Sequence, residues 1–496
     1  MTNLTKQYFY SHDIRTSEKI LLLFLFMLIL MIKVFFLKHA NTLPDEAYYW
    51  LWSKKIALSY FDHPPLNSWA QALLSSFVIN KYFVIRAIPF FCLGIVLVIN
   101  IVWQRIMFER LNYGAVLKSV VLFLSFPIFA IFFSISFPDY LLVTLLTASS
   151  FSLFLYLENN KNRKKTIYFW YLSVFLFSLA LLTKYNAALF GIGVLSYILY
   201  HNKRIEGPSY TQLIVSIFIV MLMQTPVFLW NISNDFASFS FHLSERLDNE
   251  KNILTIFKNT SGFLLGVLLA FSPIFIFNLR NNFFSADYSN DKKDFILMSK
   301  FILVFSITFC ILISFFTNVL YYWLTPAIVL LFPFLIKILS SKVSQYLHIS
   351  YGMLVSLILV INVSVYPISA FFGDVDRETA ILFGWKKIIE NVQKEKNLYG
   401  TQKVIFSDYR LGSLYIFHSD DFETDVVMEG RRTQFDIWRN EEDELVKNAL
   451  IISDKDFPIG SKILSSFKTI TFVRDIEIFV GNKFIRKYQI FLAVNR

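Results

Sequence analysis

The stretch ILLLFLFMLILMIKVFFL, residues 20–37, is 18 residues of nearly unbroken apolar sequence, preceded by Arg15 and Lys19. A helix that crosses a bilayer needs about 20 apolar residues, within a range of about 17–25. A secretory signal peptide has a shorter apolar region and a small-residue cleavage site, which this stretch lacks. The stretch therefore predicts an uncleaved first membrane helix.

Ten further apolar runs of similar length follow, so the sequence predicts about eleven membrane spans. The fifth and sixth predicted spans form one long apolar stretch that is interrupted by Lys184, Tyr185 and Asn186. The predicted spans are residues 20–37, 83–103, 115–134, 140–157, 167–183, 186–200, 211–230, 260–279, 300–317, 323–338 and 349–367.

The composition fits this interpretation. Of the 496 residues, 55% are hydrophobic, only 17% are charged, and 56 are Phe. In soluble domains about a quarter of the residues are charged. Contact with a bilayer therefore explains this apolar composition better than a soluble fold does. The cysteines, Cys92 and Cys310, both lie in apolar runs, which argues against a disulfide framework or a cysteine metal site.

The net charge of +11 would suggest nucleic acid in a soluble protein, but here the basic residues fall in short gaps between spans. With the N-terminus inside, they collect in the predicted cytoplasmic loops, as the positive-inside rule requires. We expect no nucleic-acid partner. The predicted outside loops 135–139 and 318–322 contain no Lys or Arg, and an odd span count places the C-terminus outside. The basic residues concerned are Arg105, Arg110, Lys161, Arg163, Lys164, Lys165, Lys203, Arg204, Lys292, Lys293, Lys337 and Lys342.

Composition changes near residue 370. Residues 1–370 form the predicted membrane domain, with large outside loops at 38–82 and 231–259. Residues 371–496 are richer in charge and contain short strand-like runs, so they predict a small α/β domain outside the membrane. The tryptophans of the large loops are typical of interfacial helices.

Ionisable residues close to a membrane are costly and therefore mark candidate functional sites. Asp45 and Glu46 are adjacent carboxylates, one of which could take a proton from an acceptor hydroxyl, although Pro44-Asp45-Glu46 is also a good helix start. Asp62 beside His63 could bind a metal or a phosphate, or could belong to a rigid diproline turn.

Further along, Asp139 could cap the fourth predicted span or reach the same cavity as Asp45. Lys184 needs an anion, such as a lipid-linked phosphate, or a path by which it snorkels to water. Arg246, close to His242, could bind a phosphate or be a solvated loop residue. Together these clusters predict one outward cavity with carboxylates and phosphate-binding cations.

Seven segments, in order and over most of the chain, resemble the GT-C membrane glycosyltransferases of the dolichyl-phosphate-mannose protein mannosyltransferase and lipid A aminoarabinose transferase type. The first two segments and the loop at 230–239 are the most specific. The segments are DEAYYWLWS at 45–53, YFDHPPL at 60–66, SFPDYLL at 136–142, LLTKYNAALFGIG at 181–193, PVFLWNISNDFASFSFHL at 226–243, YYWLTPAIVLL at 321–331 and RRTQFDIW at 431–438.

The resemblance implies a mainly α, polytopic GT-C-like bundle of about eleven spans with a small extracytoplasmic C-terminal α/β domain. It also implies that Asp45, with Glu46 beside it, is the catalytic carboxylate and that Asp139 is the acid of the second outside loop. Lys184 matches the lysine that contacts the carrier phosphate. His63 stands where the aminoarabinose transferases have a lysine in an acid–lysine–proline triplet, which changes the charge expected there at neutral pH.

One more residue departs from the family pattern, and further residues are candidates for substrate contacts. Tyr322 precedes Trp323 where many relatives have a basic residue or His, which weakens a catalytic role at that position. Substrate-binding candidates include Tyr60, Asp62, His63 and His242. In the C-terminal domain Arg431, Gln434 and Trp438 are candidates for acceptor contacts.

The activity implied is inverting transfer of a sugar from undecaprenyl (polyprenyl) phosphate to lipid A or another envelope glycolipid, outside the bacterial cytoplasmic membrane. We expect no required cofactor, although a divalent cation at Asp62 and His63 would be compatible with this chemistry. A protein acceptor is the close alternative. From other classes, a transporter or flippase would place its acids near the bilayer midplane, and a scaffold would tolerate replacement of Asp45 and Lys184. Walker A, HExxH and GxSxG motifs are absent from the sequence, which argues against an ATP-driven mechanism.

Overall fold

The structure, a computed structural model, describes residues 14–108, 112–158, 163–205, 208–245, 252–284, 293–439 and 448–495. Arg246, Arg110, Lys161 and Lys292, which the sequence analysis singled out, lie outside these residues.

The described part of the chain is mainly helical, and its elements are numbered in chain order. The helices are α1 Thr16–His39, α2 Pro44–Lys54, α3 Leu66–Ser75, α4 Lys81–Met107, α5 Tyr113–Leu124, α6 Pro127–Phe132, α7 Asp139–Glu158, α8 Arg163–Leu181, α9 Ala188–Ile205, α10 Tyr210–Met223, α11 Thr225–Ser233, α12 Ala237–Ser240, α13 Ile253–Ala270, α14 Pro273–Leu279, α15 Lys293–Ser314, α16 Tyr321–Ile338, α17 Lys342–Ser364, α18 Arg377–Ala380, α19 Trp385–Tyr399, α20 Tyr409–Ser419, α21 Gln434–Trp438 and α22 Ser461–Ser466. The strands are β1 Val404–Phe406, β2 Asp425–Val426, β3 Asn448–Asp454, β4 Thr469–Val480 and β5 Lys483–Val494.

Each predicted span is mainly helical backbone. Seven of the described helices are long and apolar enough to cross a membrane. The bent pair α10–α11, which turns by 47°, makes an eighth if it counts as one span. Three further apolar helices are shorter, at Tyr113–Leu124, Thr166–Leu181 and Tyr185–Tyr200. The chain is therefore a multi-pass membrane protein, as the sequence predicted.

The shorter helices result from two breaks. One is at Pro127, which cannot donate a backbone hydrogen bond and begins α6 after α5 has ended at Leu124. The other separates α8 from α9, at the polar residues that the sequence predicted would interrupt the stretch, where Tyr185–Ala187 forms a short 3₁₀ turn.

The chain divides into two compact units. The first comprises Met1–Val34, His63–Asn67 and Tyr82–Ser356, and the second comprises Phe35–Asp62, Ser68–Lys81 and Leu357–Arg496. The second unit thus combines the C-terminal region with two pieces of the predicted 38–82 loop, which the sequence analysis did not anticipate. The predicted boundary near residue 370 stays a prediction.

The first unit has an aromatic core, which explains part of the unusual Phe content. The ring centroids of Phe123 and Phe129 lie 5.0 Å apart, and Phe332 packs edge-on against both at 4.8 and 5.1 Å. A second group joins Trp103, Phe154 and Phe295, with Trp103–Phe295 at 5.4 Å. Edge-to-face pairs of this kind add about 0.5–1.5 kcal/mol each to the burial of the rings.

The second unit contains a five-stranded mixed sheet of order β2-β1-β3-β5-β4. The strand β1 is parallel to β2 and β3, whereas β5 is antiparallel to β3 and β4. Buried aliphatic residues such as Ile405, Ile451 and Ile463 form its core. The predicted α/β domain is therefore present, and its strands include β1 and β3.

The tryptophans of α2 correct one expectation. Trp50 and Trp52 were predicted to lie in a membrane interface, but both are buried inside the second unit. Trp50 packs against Phe417 at 5.0 Å, and Trp52 stacks on Tyr60 at 4.6 Å. Their apolar rings are covered by protein, so they do not form an interfacial belt.

We predict that Gly352→Ala destabilises the first unit. A methyl group at Gly352, in α17, would overlap the backbone carbonyl of Ser125, which cannot rotate away. Overpacking of this kind typically costs about 1–3 kcal/mol. Thermal unfolding of the purified protein in detergent should show a lower midpoint. Gly94→Ala is the matched control, because a methyl group there meets no atom within 4 Å; equal losses in the two variants would contradict the packing argument.

Candidate functional site

Asp139 and Lys184 form a buried ion pair in the first unit. Asp139 is the first residue of α7, and Lys184 lies in the break between α8 and α9. The lysine Nζ donates to both carboxylate oxygens, at 2.9 and 2.8 Å. Asp139 is 2% exposed and Lys184 is 6% exposed. The sequence predicted both residues as site candidates but did not predict that they pair.

The ring of Tyr322 is the second contact of this lysine. The Lys184 Nζ lies 4.3 Å from the Tyr322 ring centroid, close enough for a cation–π interaction. Tyr322 is the residue that departs from the basic or His position of the resembling family. An aromatic ring beside a lysine avoids the repulsion that a second cation would create there.

The short segment His63–Asn67 holds the two loops that carry the pair. The Leu66 amide donates to the Leu182 carbonyl at 2.9 Å, two residues before Lys184. The Asn67 side chain donates to the Ser136 carbonyl at 3.1 Å and accepts from the Tyr140 hydroxyl at 2.8 Å. Three of the sequence motifs therefore meet at Asn67 and Leu66. Sequence reasoning missed Asn67, because a single Asn after a diproline carries no distinctive signal.

Lys33 and Arg86 hold the chain between α6 and α7. The Lys33 Nζ donates to the carbonyls of Ala130 and Phe133, at 3.1 and 3.2 Å, and to the Ser134 hydroxyl at 2.7 Å. Arg86 donates to the Ser134 carbonyl at 2.9 Å. A lysine ammonium has three donors, and all three are used on the carbonyl end of α6. A lone lysine in the apolar run 20–37 was a signal that could have revealed this role.

His63 and His242 belong to an aromatic group of the first unit. Their ring centroids lie 6.3 Å apart, and Tyr185 packs edge-on against His242 at 5.1 Å. The Tyr185 hydroxyl is 3.0 Å from the Ser238 hydroxyl. The structure thus brings these two sequence-predicted histidines near one another. Arg246, the third candidate of that region, lies outside the described residues.

Asp45 and Glu46, at the start of α2 in the second unit, have different surroundings. Glu46 is fully buried, and its carboxylate accepts the Leu43 backbone amide at 3.1 Å. This contact supports the helix-capping interpretation of Glu46. Its catalytic role stays a prediction. Asp45 is partly exposed and accepts a hydrogen bond from the Tyr409 hydroxyl at 3.3 Å.

The electrostatics of Asp45 favour a proton-transfer role. Burial raises the pKa of the Asp45 carboxyl above its usual value, and the guanidinium of Arg431 and the hydroxyl of Tyr409 offset only part of this effect. A carboxylate with a raised pKa is a stronger base than an ordinary one, and this is the property expected of a catalytic base.

Asp62 is held by two elements of the second unit. The Tyr48 hydroxyl donates to its carboxylate at 3.0 Å, and Arg431 forms an ion pair with it. The side-chain oxygen of Gln434 accepts a hydrogen bond from the Phe61 backbone amide at 2.8 Å. The backbone amide of Gln434 donates to the Tyr48 hydroxyl at 2.7 Å. Arg431 and Gln434, predicted as acceptor contacts, therefore bind the loop that carries Asp62. Their proposed contact with an acceptor stays a prediction.

Tyr60, which the sequence predicted to bind substrate, is fully buried in the second unit. Its contact with a substrate stays a prediction. Its hydroxyl oxygen lies 2.9 and 3.2 Å from the carbonyl oxygens of Trp52 and Lys55, which share its single proton, and it accepts the Ala57 amide at 3.1 Å. Tyr60 therefore closes the turn at the end of α2, and its polar atom is fully occupied by backbone groups.

The first unit thus contains the Asp139–Lys184 pair and the two neighbouring histidines, and the second unit contains Asp45 and Asp62. That all of them share one cavity stays a prediction. Among the described residues, no three His, Cys, Asp or Glu side chains come together as metal ligands. The predicted cation at Asp62 and His63 stays a prediction.

An apolar cavity lies between α7, α8, α9 and α10 of the first unit. Its volume is about 280 Å³. Leu181 and Ala188, on either side of the break that holds Lys184, contribute to its wall together with Phe177 and Met221. The cavity therefore lies beside the chain segment that carries Lys184, and its apolar walls suit an apolar chain.

We predict that the Asp139–Lys184 pair is coupled in stability. Asp139→Asn and Lys184→Met should each lower stability by about 3–5 kcal/mol, because each leaves an uncompensated polar partner in a buried position. The double variant should lose less than the sum, with a coupling energy of about 1–3 kcal/mol. Denaturant or thermal unfolding in detergent measures all three variants, and strictly additive losses would show that the pair does not interact.

We also predict that Lys33→Met lowers the thermal unfolding midpoint, because the Phe133 carbonyl and the Ser134 hydroxyl lose the ammonium as a donor, whereas the Ala130 carbonyl keeps the Ser134 hydroxyl. Each buried acceptor left unsatisfied costs about 1–3 kcal/mol. Lys38→Met, a change of the same type at an exposed position of α1, is the control and should leave the midpoint unchanged. Identical behaviour of the two variants would contradict the role assigned to Lys33.

Comparisons with known proteins agree with the sequence motifs. Residues 62–230 match the family model of dolichyl-phosphate-mannose-protein mannosyltransferases. These residues include His63–Asn67, Asp139 and Lys184. No protein of curated function matches the chain by sequence.

Two solved structures of ArnT from Cupriavidus metallidurans are similar to this chain. The apo structure has a TM-score of 0.56 and the structure bound to undecaprenyl phosphate a TM-score of 0.57, each at 12% sequence identity. In both cases the match covers 95% of this chain and 97% of the other. The family model over residues 62–230 and the fold over nearly the whole chain confirm the likeness to GT-C membrane glycosyltransferases that the sequence motifs indicated.

Proposed function

We propose that this protein is an inverting glycosyltransferase. It transfers an amino sugar, or another sugar, from a polyprenyl phosphate carrier. The acceptor is lipid A or another envelope glycolipid, on the outer side of the bacterial cytoplasmic membrane. The observation that carries the proposal is the buried Asp139–Lys184 pair, which lies within the residues that match the family model.

The first unit offers the chemistry that a lipid-linked phosphate needs. Lys184 is a buried cation whose charge is balanced by Asp139 when no ligand is present. A phosphate that competes for the Lys184 ammonium would gain a charge-assisted hydrogen bond in a site of low dielectric constant. The apolar cavity of about 280 Å³ beside this segment suits part of an isoprenoid chain. The similar ArnT structure with bound undecaprenyl phosphate supports this choice of carrier.

The reaction needs one base and a stabilised leaving group. The acceptor hydroxyl oxygen attacks the anomeric carbon, the bond from that carbon to the carrier phosphate oxygen breaks, and the hydroxyl proton passes to a carboxylate. Polyprenyl phosphate leaves with the electron pair, and nearby cations stabilise its charge. A single displacement inverts the anomeric centre. This chemistry requires neither a nucleotide nor a redox cofactor.

Asp45 is the residue that we propose as the base. Its raised pKa and its partial exposure suit proton transfer, whereas Glu46 is occupied as a helix cap. Asp139 is engaged by Lys184, so we assign it to holding the lysine. The two assignments are independent, and each can be tested by its own variant.

We predict that envelope lipids change with the activity of this protein. Lipid A and glycolipids from native cells, a deletion strain and complemented strains should be compared by mass spectrometry. A sugar-sized mass should disappear on deletion and return with wild type and Glu46→Gln. It should not return with Asp45→Asn or Lys184→Met at equal expression, because the first lacks a base and the second lacks the phosphate contact.

Other outcomes have clear meanings. An unchanged lipid profile with altered glycoproteins would assign the protein acceptor instead. Full restoration by Asp45→Asn would remove that residue from catalysis, and failure of Glu46→Gln would return Glu46 to it. Glutamine can still accept the Leu43 amide, so the Glu46→Gln control preserves the helix cap.

We predict a pH dependence that follows the ionisation of Asp45. A base must be deprotonated, so kcat/KM should fall as the pH drops through the raised pKa of Asp45, at a pH above the ordinary carboxyl value of about 4. Tyr409→Phe should move this limb to higher pH, because the Tyr409 hydroxyl stabilises the ionised form. The measurement is a pH–rate profile with a polyprenyl phosphate sugar in detergent micelles. A limb that does not move in Tyr409→Phe would contradict the assignment.

A further inference from the structure

A second cavity lies wholly within the second unit, apart from Asp45 and Asp62. Its volume is about 290 Å³. The end of α2, the start of β1, the segment before β2 and the helix α21 contribute its walls. The lining residues are Leu51, Lys54, Lys55, Lys403, Ile416, Phe422, Glu423, Thr424, Asp425, Phe435, Trp438 and Arg439.

The charges of this cavity are unevenly compensated. Four cations and two carboxylates line it. Arg439 is neutralised, since it donates to Asp425 at 3.1 Å and to Asp436 at 3.2 Å. The other three cations, Lys54, Lys55 and Lys403, form no ion pair with a carboxylate within the described part of the chain. Glu423, the other carboxylate of the lining, offsets one of these three charges, so the described lining keeps an excess of positive charge that favours an anion.

One wall of the cavity is aromatic. Trp438 is partly exposed, and the Lys55 ammonium lies 4.9 Å from the centroid of its ring. Phe435 packs edge-on against Trp438 at 5.5 Å and holds it in place. An indole held in this way is a rigid apolar surface with the Lys55 ammonium over its ring. Such a face suits the apolar C–H face of a sugar ring that also carries negative charge.

Thr424 provides an independent indication of a ligand. Its side chain is 7% exposed and lines the cavity, yet its hydroxyl oxygen has no hydrogen-bond partner among the residues that the structure describes. Buried hydroxyls are nearly always paired, because an unpaired one costs about 1–3 kcal/mol. A ligand with hydroxyl or phosphate oxygens would satisfy it.

We propose that this cavity binds a phosphorylated saccharide, with the lysines on the phosphate, Trp438 against the sugar ring and Thr424 on an oxygen. Within the proposed function this ligand is the phosphorylated headgroup of the acceptor glycolipid. That identification rests on the proposed function, whereas the binding itself does not. The C-terminal region would then recognise the acceptor by its charge and its sugar together.

Direct binding to the purified full-length protein in detergent tests the proposal. The probes are glucosamine 1-phosphate, N-acetylglucosamine and inorganic phosphate, observed by saturation-transfer NMR and titration calorimetry. Wild type should bind glucosamine 1-phosphate more tightly than either of the other two. Lys55→Gln with Lys403→Gln should weaken this binding at least tenfold, and Thr424→Val should weaken it several-fold. Lys394→Gln, an exposed lysine of α19 outside the cavity, should leave it unchanged.

Several results would overturn the proposal. Equal binding of inorganic phosphate would reduce the cavity to an anion site, and equal losses in the Lys394→Gln control would show nonspecific attraction. The sequence after Arg439 contains four acids, Glu441, Glu442, Asp443 and Glu444. Binding that appears only when all four are replaced by Gln or Asn would show that the native chain does not accept this ligand.

The lipid analysis separates this proposal from the proposed function. Binding without any change of envelope lipids on deletion would leave the cavity assigned and remove the glycolipid activity. Lipid modification by wild type without binding of the probe would have the opposite meaning. If both hold, the double lysine variant should raise the KM for the acceptor and leave kcat nearly unchanged.

Discussion

Polar groups inside a bilayer have to find their partners within the protein, because the surrounding hydrocarbon offers none. This constraint is most severe where the apolar helices of the first unit are broken. The chain leaves helical geometry between α6 and α7 and again between α8 and α9. Lys33 and Arg86 satisfy the first break, and Asn67 and Leu66 tie the first to the second. Both helix breaks are therefore stabilised by specific hydrogen bonds from other parts of the chain.

Because the polar groups at both helix breaks have partners within the protein, a charged pair can lie there with little exposure to solvent. Asp139 and Lys184 each follow a helix break, and each is fixed by backbone contacts of its neighbours. Removing an ion pair from water is expensive, and only good geometry with further contacts offsets the cost. The double hydrogen bond and the Tyr322 ring supply that geometry. A phosphate that enters such a site meets a lysine that is already oriented, so little further ordering is needed on binding.

The second unit uses a different principle. Short helices and a mixed sheet surround its polar residues with aromatic side chains, and hydrogen bonds between distant segments position them. Tyr48 contacts both Asp62 and the Gln434 backbone, so residues far apart in sequence depend on one hydroxyl. Burial of the Asp45 carboxyl raises its pKa, and three lysines line the second cavity, which we propose to be an anion site. Each property comes from the surroundings of a residue and not from its type.

The sequence alone determined that this chain crosses a membrane many times, because the lengths of apolar runs match the thickness of a bilayer. It also located the break at Lys184, the C-terminal α/β region and the family likeness. Only the tertiary structure decided which charged residues pair. Lys184 was predicted as a lone cation and is bound to Asp139, while Glu46 and Tyr60 were predicted at the site and are occupied by backbone groups. Burial and pairing depend on segments distant in sequence, such as Asn67 beside Tyr140 and Arg431 beside Asp62, and no local pattern encodes those contacts.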